Sequence, residues 1–212
     1  RSFGPNCPEA IQRLINAGAA LIPNLWNRTP NEVELASVMQ DIDVLVISAA
    51  RSIHARLEAV SDADVDAQIE TNFKATVRLL NAVVPGMAER GRGAVVNVSS
   101  LAGRTKSALG GLAYTASKSG LLGLTRHLAF DYGPRGVRVN AICPGGVDTP
   151  MIRNAAAAGA AQGGEIAKLR AGHAAALQAL MPIKRLSSAQ EQAAAIAFLA
   201  SDDASYINGD SL

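Results

Sequence analysis

The sequence contains few cysteines and few aromatic residues, and both shortages exclude common classes of protein. Its 212 residues include two cysteines, Cys7 and Cys143, and 4% aromatic residues. Because the two cysteines are far apart, they form neither a disulfide framework nor a metal-ligand motif, and we expect reduced thiols and no bound metal. The N-terminus also lacks the uninterrupted apolar segment of a signal peptide, so we expect a cytoplasmic protein.

Long apolar runs and an excess of charge of one sign are missing as well. No apolar run reaches the ~18 residues of a membrane span, so we expect no membrane association. The formal net charge is +2, and no basic stripe is visible, so nucleic acid is not an expected partner. The remaining features, 49% hydrophobic residues in a chain of ordinary domain length, predict a single domain over residues 1–212.

Apolar segments of strand length alternate with helical segments along the chain. The predicted strands are 19–22, 43–48, 93–98 and 137–142, and the predicted helices are 8–17, 29–40, 62–86, 112–132 and 188–200. This order is typical of a doubly wound parallel sheet, an α/β fold whose ligand crevice lies at the carboxyl ends of the strands. Residues 150–181 are rich in Ala and Gly, and we interpret them as a lid over a substrate.

Tyr114 and Lys118 open the helix that follows strand 93–98. Their i,i+4 spacing places both side chains on one face of that helix. A free phenol has a pKa near ~10, and a neighbouring ammonium group favours the phenolate and lowers that pKa. Tyr114 could therefore donate a proton to a carbonyl oxygen or accept one from an alcohol.

Three other segments bring polar or flexible residues towards this pair. Ser100 follows a predicted strand, where its hydroxyl could bond a substrate oxygen. Asn72 lies inside a predicted helix, and its side chain could bond a backbone group or hold a water. Residues 143–151 follow another strand and contain a Pro-Gly-Gly turn, which lets the backbone approach a flat ligand closely.

These residues, in this order, resemble the classical short-chain dehydrogenase/reductase family, and the resemblance extends from about Asp43 to Leu212. It implies a Rossmann-like fold and an oxidoreductase that moves a hydride between a nicotinamide cofactor and a small carbonyl or alcohol substrate. The implied catalytic residues are Ser100 to orient the substrate oxygen, Tyr114 to transfer the proton, Lys118 to lower the tyrosine pKa and hold the ribose, and Asn72 to support a water relay. The separation of Ser100 from Tyr114 is one residue longer than the family's commonest spacing, and Ser99 is the alternative if the register differs, although it is farther still from Tyr114.

The resemblance also implies a set of cofactor contacts. They are Gly4, Arg28, Ala49, Tyr114, Lys118, Pro144, Gly145, Val147 and Thr149. Arg28 replaces the acidic residue that would bond a ribose 2′-hydroxyl and could meet a 2′-phosphate, so NADP is favoured over NAD. The N-terminal part departs from the family: only Gly4 of the Gly-rich turn is recognisable, and the first strands are missing or shortened, either because the sequence starts late or because the site is degraded.

The departures keep a second class of function open. The chain could be a binding or scaffolding subunit that has lost its cofactor site, although such a subunit has no need for Lys118 beside Tyr114. A third option is a cofactor-independent enzyme like the halohydrin dehalogenases, which carry Arg at the position of Lys118. Helix 112–132 is apolar on nearly every face, and the resemblance implies that it packs with helix 62–86 against a second subunit in a homodimer or homotetramer.

Overall fold

The computed structural model of the protein describes residues 41–53, 57–105, 110–149, 152–153 and 181–212. Several predicted features lie outside these residues. They are helices 8–17 and 29–40, strand 19–22, the cofactor residues Gly4 and Arg28, and most of the lid 150–181.

Three parallel strands form the sheet of the described residues. In spatial order they are β1 (Val44–Ile47), β2 (Gly93–Val98) and β3 (Val137–Ile142). Their apolar and mostly β-branched residues suit a sheet that is covered on both faces. The predicted bounds of β2 and β3 are confirmed, whereas β1 is one residue shorter at each end than the predicted strand 43–48.

Helices cover both faces of this sheet. They are α1 (Asp62–Ile69), α2 (Ala75–Glu89), α3 (Leu112–Tyr132) and α4 (Ala189–Ala200), with a π-helical segment Glu70–Lys74 between α1 and α2. Val95 packs in a cluster with residues of α2 and α3, whereas its neighbour Val96 packs with Ile196 and Leu199 of α4. Successive residues of a strand point to opposite faces, so this division confirms the doubly wound α/β fold. None of the described helices is long and apolar enough to cross a membrane.

Local sequence explains where α4 begins. Ser188 accepts a hydrogen bond from the Glu191 N–H at 3.2 Å, and Glu191 accepts one from the Ser188 N–H at 2.8 Å. This reciprocal capping box satisfies backbone donors that a helix N-terminus otherwise leaves unpaired.

The end of α2 corrects the sequence analysis. The helix was expected to stop near Pro85-Gly86, but it continues to Glu89. Pro85 removes one helical hydrogen bond, to the carbonyl group of the exposed residue Asn81. The last turn persists because Met87, which is fully buried, packs against the sheet.

The exposure of α3 also differs from the expectation that a helix apolar all round is buried all round. Within the single chain, Leu112 is 40% exposed and Phe130 is 84% exposed, and Ala116 is exposed between them. At Gly123 an added Cβ would meet no atom within 4 Å. One side of α3 is therefore an uncovered stripe of small and apolar residues.

The C-terminal residues lie along the free edge of β3. The Ala141 N–H bonds to the Asp210 carbonyl at 2.8 Å, and the Leu212 N–H bonds to the Ala141 carbonyl at 3.0 Å. The Asn140 side chain adds two bonds, to the Ile207 carbonyl and from the Asp210 N–H. These contacts fix the strand that leads into the Pro-Gly-Gly turn.

Candidate active site

The segments that follow the three strands meet at one edge of the sheet, as parallel strands require. Two backbone hydrogen bonds join the segments after β2 and β3. The Ser99 N–H bonds to the Ile142 carbonyl at 2.9 Å, and the Leu101 N–H bonds to the Pro144 carbonyl at 2.9 Å. Ser100 therefore stands beside the turn that was predicted to contact a cofactor.

Helix α3 delivers Tyr114 and Lys118 to the same edge. The turn Leu101–Gly103 packs so closely on α3 that a Cβ at Gly103 would lie 2.8 Å from the Lys118 carbonyl oxygen. The Ser100 side chain lies close enough to the Tyr114 hydroxyl to favour its ionised form and so to lower the pKa of the phenol. The structure thus brings together Ser100, Tyr114 and Lys118, three of the residues singled out from the sequence.

The two neighbouring serines have different roles. Ser99 is buried, and its hydroxyl donates to the Lys118 carbonyl at 2.8 Å, which fastens the loop to α3. Ser100 is half-buried and accepts a hydrogen bond from the Ala102 N–H at 3.1 Å. Ser100 contacts the Tyr114 hydroxyl, whereas the Ser99 hydroxyl is already bonded to the Lys118 carbonyl. The geometry therefore favours Ser100 over Ser99 as the residue that orients the substrate oxygen.

Lys118 is the largest fully buried side chain among the described residues. Its Nζ donates to the Val98 carbonyl at 2.8 Å and lies 5.8 Å from the centroid of the Tyr114 ring. Burial lowers the pKa of this amine from 10.5 to about 8, although Cys143 acts in the opposite direction. An ammonium group has three donors, so the bond to Val98 leaves N–H groups for the hydroxyls of a ligand.

The pKa of Tyr114 departs from the sequence-based expectation. Burial raises the pKa of the phenol above its ordinary value, and the nearby Ser100 side chain opposes this only in part. The sequence predicts that Lys118 lowers this pKa; that contribution of Lys118 stays a prediction, whereas the net shift of the pKa in the protein alone is upward. The physical reason is that burial disfavours the phenolate.

Asn72 lies in the π-helical segment, fully buried. Its Oδ1 accepts from the Arg51 N–H at 2.7 Å, and its Nδ2 donates to the Arg51 carbonyl at 2.9 Å and to the Ser117 hydroxyl at 3.0 Å. Ser117 in turn donates to the Tyr114 carbonyl at 2.8 Å. Of the two roles expected from the sequence, a backbone bond or a water, the structure shows the backbone bond.

Sequence analysis did not single out Ser117 or Gln68. Gln68 is also fully buried, and its Oε1 accepts from the Ile53 N–H at 2.9 Å. Its position one helical turn before Asn72 was the available signal, because residues four apart share a helix face.

The predicted cofactor residues within the described part line the same edge. Ala49 is exposed just beyond β1, and Gly145 is exposed with no atom within 4 Å of an added Cβ. Ser187 bonds to the residues on either side of Val147, so those two bonds leave the Val147 N–H for a ligand. Thr149 is half-buried on the same loop, as is Pro144. An open glycine, a backbone donor without a partner among the described residues and the remaining donors of Lys118 fit a nicotinamide nucleotide.

Comparisons with known proteins agree with this geometry. A family model described as enoyl-(acyl carrier protein) reductase matches residues 32–212. A 3-oxoacyl-(acyl-carrier-protein) reductase of Salmonella typhimurium is 36% identical over 92% of this chain and 75% of that protein. A Streptomyces virginiae protein, named as a ketoacyl reductase of the monensin polyketide synthase, is 37% identical over 81% of this chain. The aligned part is 65% of that relative, somewhat less than two thirds of its length.

A solved structure extends the likeness to three dimensions. The 3-oxoacyl-(acyl-carrier-protein) reductase of Brucella melitensis, crystallised with NAD, has a TM-score of 0.70 and 28% sequence identity. The match covers 86% of this chain and 65% of that one. Fold, site and comparisons place the chain in a class of doubly wound α/β proteins that includes named reductases, one of them crystallised with NAD. Within that class, the chain belongs to the short-chain dehydrogenase/reductase family, as its sequence predicted.

Proposed function

We propose that this protein transfers a hydride between a nicotinamide nucleotide and a carbonyl or secondary alcohol, with Tyr114 as the acid and base. The observation that carries the proposal is the meeting of Ser100, Tyr114 and Lys118 at the carboxyl edge of the sheet. A scaffolding subunit is not favoured, because burial of the Lys118 charge costs free energy and a subunit without catalysis gains nothing from that charge.

The side chains account for the proton transfer. When bound, the reduced cofactor would supply the hydride for the carbonyl carbon, and the negative charge would develop on the carbonyl oxygen. Ser100 holds that oxygen, and Tyr114 gives it the phenolic proton, which yields an alcohol and a tyrosinate. The raised pKa of Tyr114 keeps the proton in place before the reaction, and the Lys118 charge then stabilises the tyrosinate.

The residues beside the Pro-Gly-Gly turn would hold the cofactor. Lys118 would bond the nicotinamide ribose, the Val147 N–H would bond the carboxamide, and Gly145 would leave room for the ring. Arg28, which lies outside the described residues, would meet a 2′-phosphate and so favour NADP.

The substrate proposal rests on the relatives. Two of them are named for 3-oxoacyl or ketoacyl groups, so we assign this protein a 3-oxoacyl thioester, whose acyl chain is its small and largely apolar part. The predicted single domain 1–212 includes the predicted substrate lid 150–181, most of which lies outside the described residues. The uncovered stripe on α3 packs against a second copy, which makes the active form a homodimer or homotetramer of the cytoplasm.

One experiment tests the central proposal. The purified protein is titrated with NADPH and, separately, with NADH, by nicotinamide fluorescence, and acetoacetyl-CoA is then added while nicotinamide absorbance is followed. We expect saturable binding, tighter for NADPH, and oxidation of NADPH that requires acetoacetyl-CoA. A folded protein that binds neither nucleotide would contradict the proposal and favour the scaffolding alternative.

A further inference from the structure

The buried side chain of Gln68 has two hydrogen-bond partners. Its Oε1 accepts from the Ile53 N–H at 2.9 Å, and its Nε2 donates to the Asp64 carbonyl within α1 at 3.1 Å. The residue is fully buried, so a lost partner would leave an amide group without water to replace it. The side chain is therefore fixed at both ends, by its own helix and by the segment after β1.

The segment after β1, residues 48–53, has no regular secondary structure of its own. Side chains hold its far end at alternate residues. Asn72 bonds both backbone groups of Arg51, and Gln68 bonds the N–H of Ile53. Two amide side chains one helical turn apart thus act as a double clamp on this segment.

The clamp is continuous with the catalytic helix. Asn72 bonds to Ser117, and Ser117 bonds to the Tyr114 carbonyl. Asn72 therefore links the segment 48–53, through Ser117, to the backbone of Tyr114. The bond from Gln68 to Ile53 fixes the direction in which the segment continues after Arg51. Since the segment starts at the carboxyl end of β1 and includes the exposed Ala49, it forms one wall of the proposed site.

We propose that Gln68 is a positioning residue that holds this wall of the site. It sets how tightly nucleotide and substrate bind, while Tyr114 and Lys118 perform the proton transfer. The inference rests on the proposed function and adds to it a residue that acts through Ile53 rather than through contact with the reacting atoms.

The test compares two substitutions at this position. Gln68→Leu keeps the volume and removes both hydrogen bonds, and we expect the KM for NADPH and for acetoacetyl-CoA to rise about tenfold with kcat changed less than about twofold. Gln68→Glu keeps an acceptor for the Ile53 N–H, but only its protonated carboxyl group can donate to the Asp64 carbonyl as Gln68 does. We therefore expect KM in Gln68→Glu to return most of the way to the wild-type value at pH values where this carboxyl group is protonated. Unchanged KM in Gln68→Leu, or no rescue by the protonated Gln68→Glu protein, overturns the proposal.

A matched control separates positioning from stability. Thr125 is buried on α3, where its hydroxyl bonds the Leu121 carbonyl and accepts from Asn97. Thr125→Val should lower Tm as much as Gln68→Leu and leave KM unchanged, and an equal rise in KM in this control overturns the proposal.

A further readout does not depend on activity. Amide hydrogen exchange at Ile53 should accelerate about tenfold in Gln68→Leu alone, because its N–H loses its acceptor. If the wild type shows no turnover, the proposed function fails, and this exchange rate still decides whether the clamp exists.

Discussion

The two sides of the proposed site are held by different kinds of bond. After β2 and β3, backbone groups bond to one another, as in the pair Leu101 and Pro144. After β1, the amide side chains of Asn72 and Gln68 hold the backbone of residues 51–53. A hydrogen bond between two backbone groups persists when most side chains are substituted. A bond made by a side chain, such as that of Asn72 or Gln68, is removed by one substitution. The β2–β3 side is therefore the robust half of the site and the β1 side the sensitive half.

Tyr114 stands where the two halves meet, and its substitution should have the largest effect. Tyr114→Phe removes the proton donor and keeps the ring, so we expect kcat to fall by at least about a thousandfold, while NADPH binding changes little. Steady-state kinetics and fluorescence titration measure the two quantities. Tyr132→Phe at the other end of α3 is the control and should keep full activity; turnover retained in Tyr114→Phe would reject its role.

We expect the free energy of unfolding to fall by different amounts when a polar side chain is removed from each half of the site. Asn72→Leu leaves both backbone groups of Arg51 without their partner, and we expect a loss of ~2–4 kcal/mol in the free energy of unfolding. Ser99→Ala removes one hydrogen bond from a loop that backbone bonds also hold, and we expect ~1 kcal/mol. Urea unfolding measures both, and equal losses would break the comparison.

Lys118 links function to a cost in stability. Its pKa is about 8 in the folded protein and 10.5 ordinarily, so below pH 8 the folded state carries a buried charge. Between pH 8 and 10.5 only the unfolded chain keeps the proton, so stability rises with pH across that window.

Lys118→Met should therefore be more stable than the wild type at pH 7, by on the order of 3 kcal/mol, and should lose activity. The difference in Tm should shrink as pH rises above 8. Lys74→Met, at an exposed lysine, is the control and should show no such trend. A less stable Lys118→Met protein at pH 7 would contradict the prediction.

The smallest effect is expected at α4, on the opposite face of the sheet from α2 and α3. Ser188→Ala removes the capping hydroxyl, and we expect a loss of ~1 kcal/mol without a change in KM. Thermal unfolding and steady-state kinetics check this, with Ser205→Ala at an exposed serine as the control. A raised KM in Ser188→Ala would show that the sensitive half of the site extends to this helix.

Sequence reasoning succeeded where the signal is local. The spacing of apolar residues and the positions of turn residues predicted the bounds of β2, β3 and α3. The spacing of Tyr114 and Lys118 predicted that both lie on one face of α3. The end of α2 was wrong, because tertiary burial of Met87 outweighs the local effect of Pro85. The direction of the Tyr114 pKa also depends on burial, which a spacing does not reveal.

The clamp was missed for a related reason. Nothing near Gln68 in the sequence indicates that its partner is Ile53, fifteen residues earlier. The roles of Ser100 and Lys118 in the reaction stay predictions, as do those of Gly4 and Arg28, which lie outside the described residues.

The pairing of β3 with the C-terminal residues has a consequence for biosynthesis. The Cys143 N–H bonds to the Leu212 carbonyl at 2.6 Å, across a loop of about seventy residues. Closing such a loop is slow and must follow the release of its last residues from the ribosome. β1, β2 and α3 can assemble on the nascent chain, whereas the support of the Pro144 turn must wait until the residues up to Leu212 have left the ribosome. We therefore expect NADPH binding to be acquired only after these residues have paired with β3.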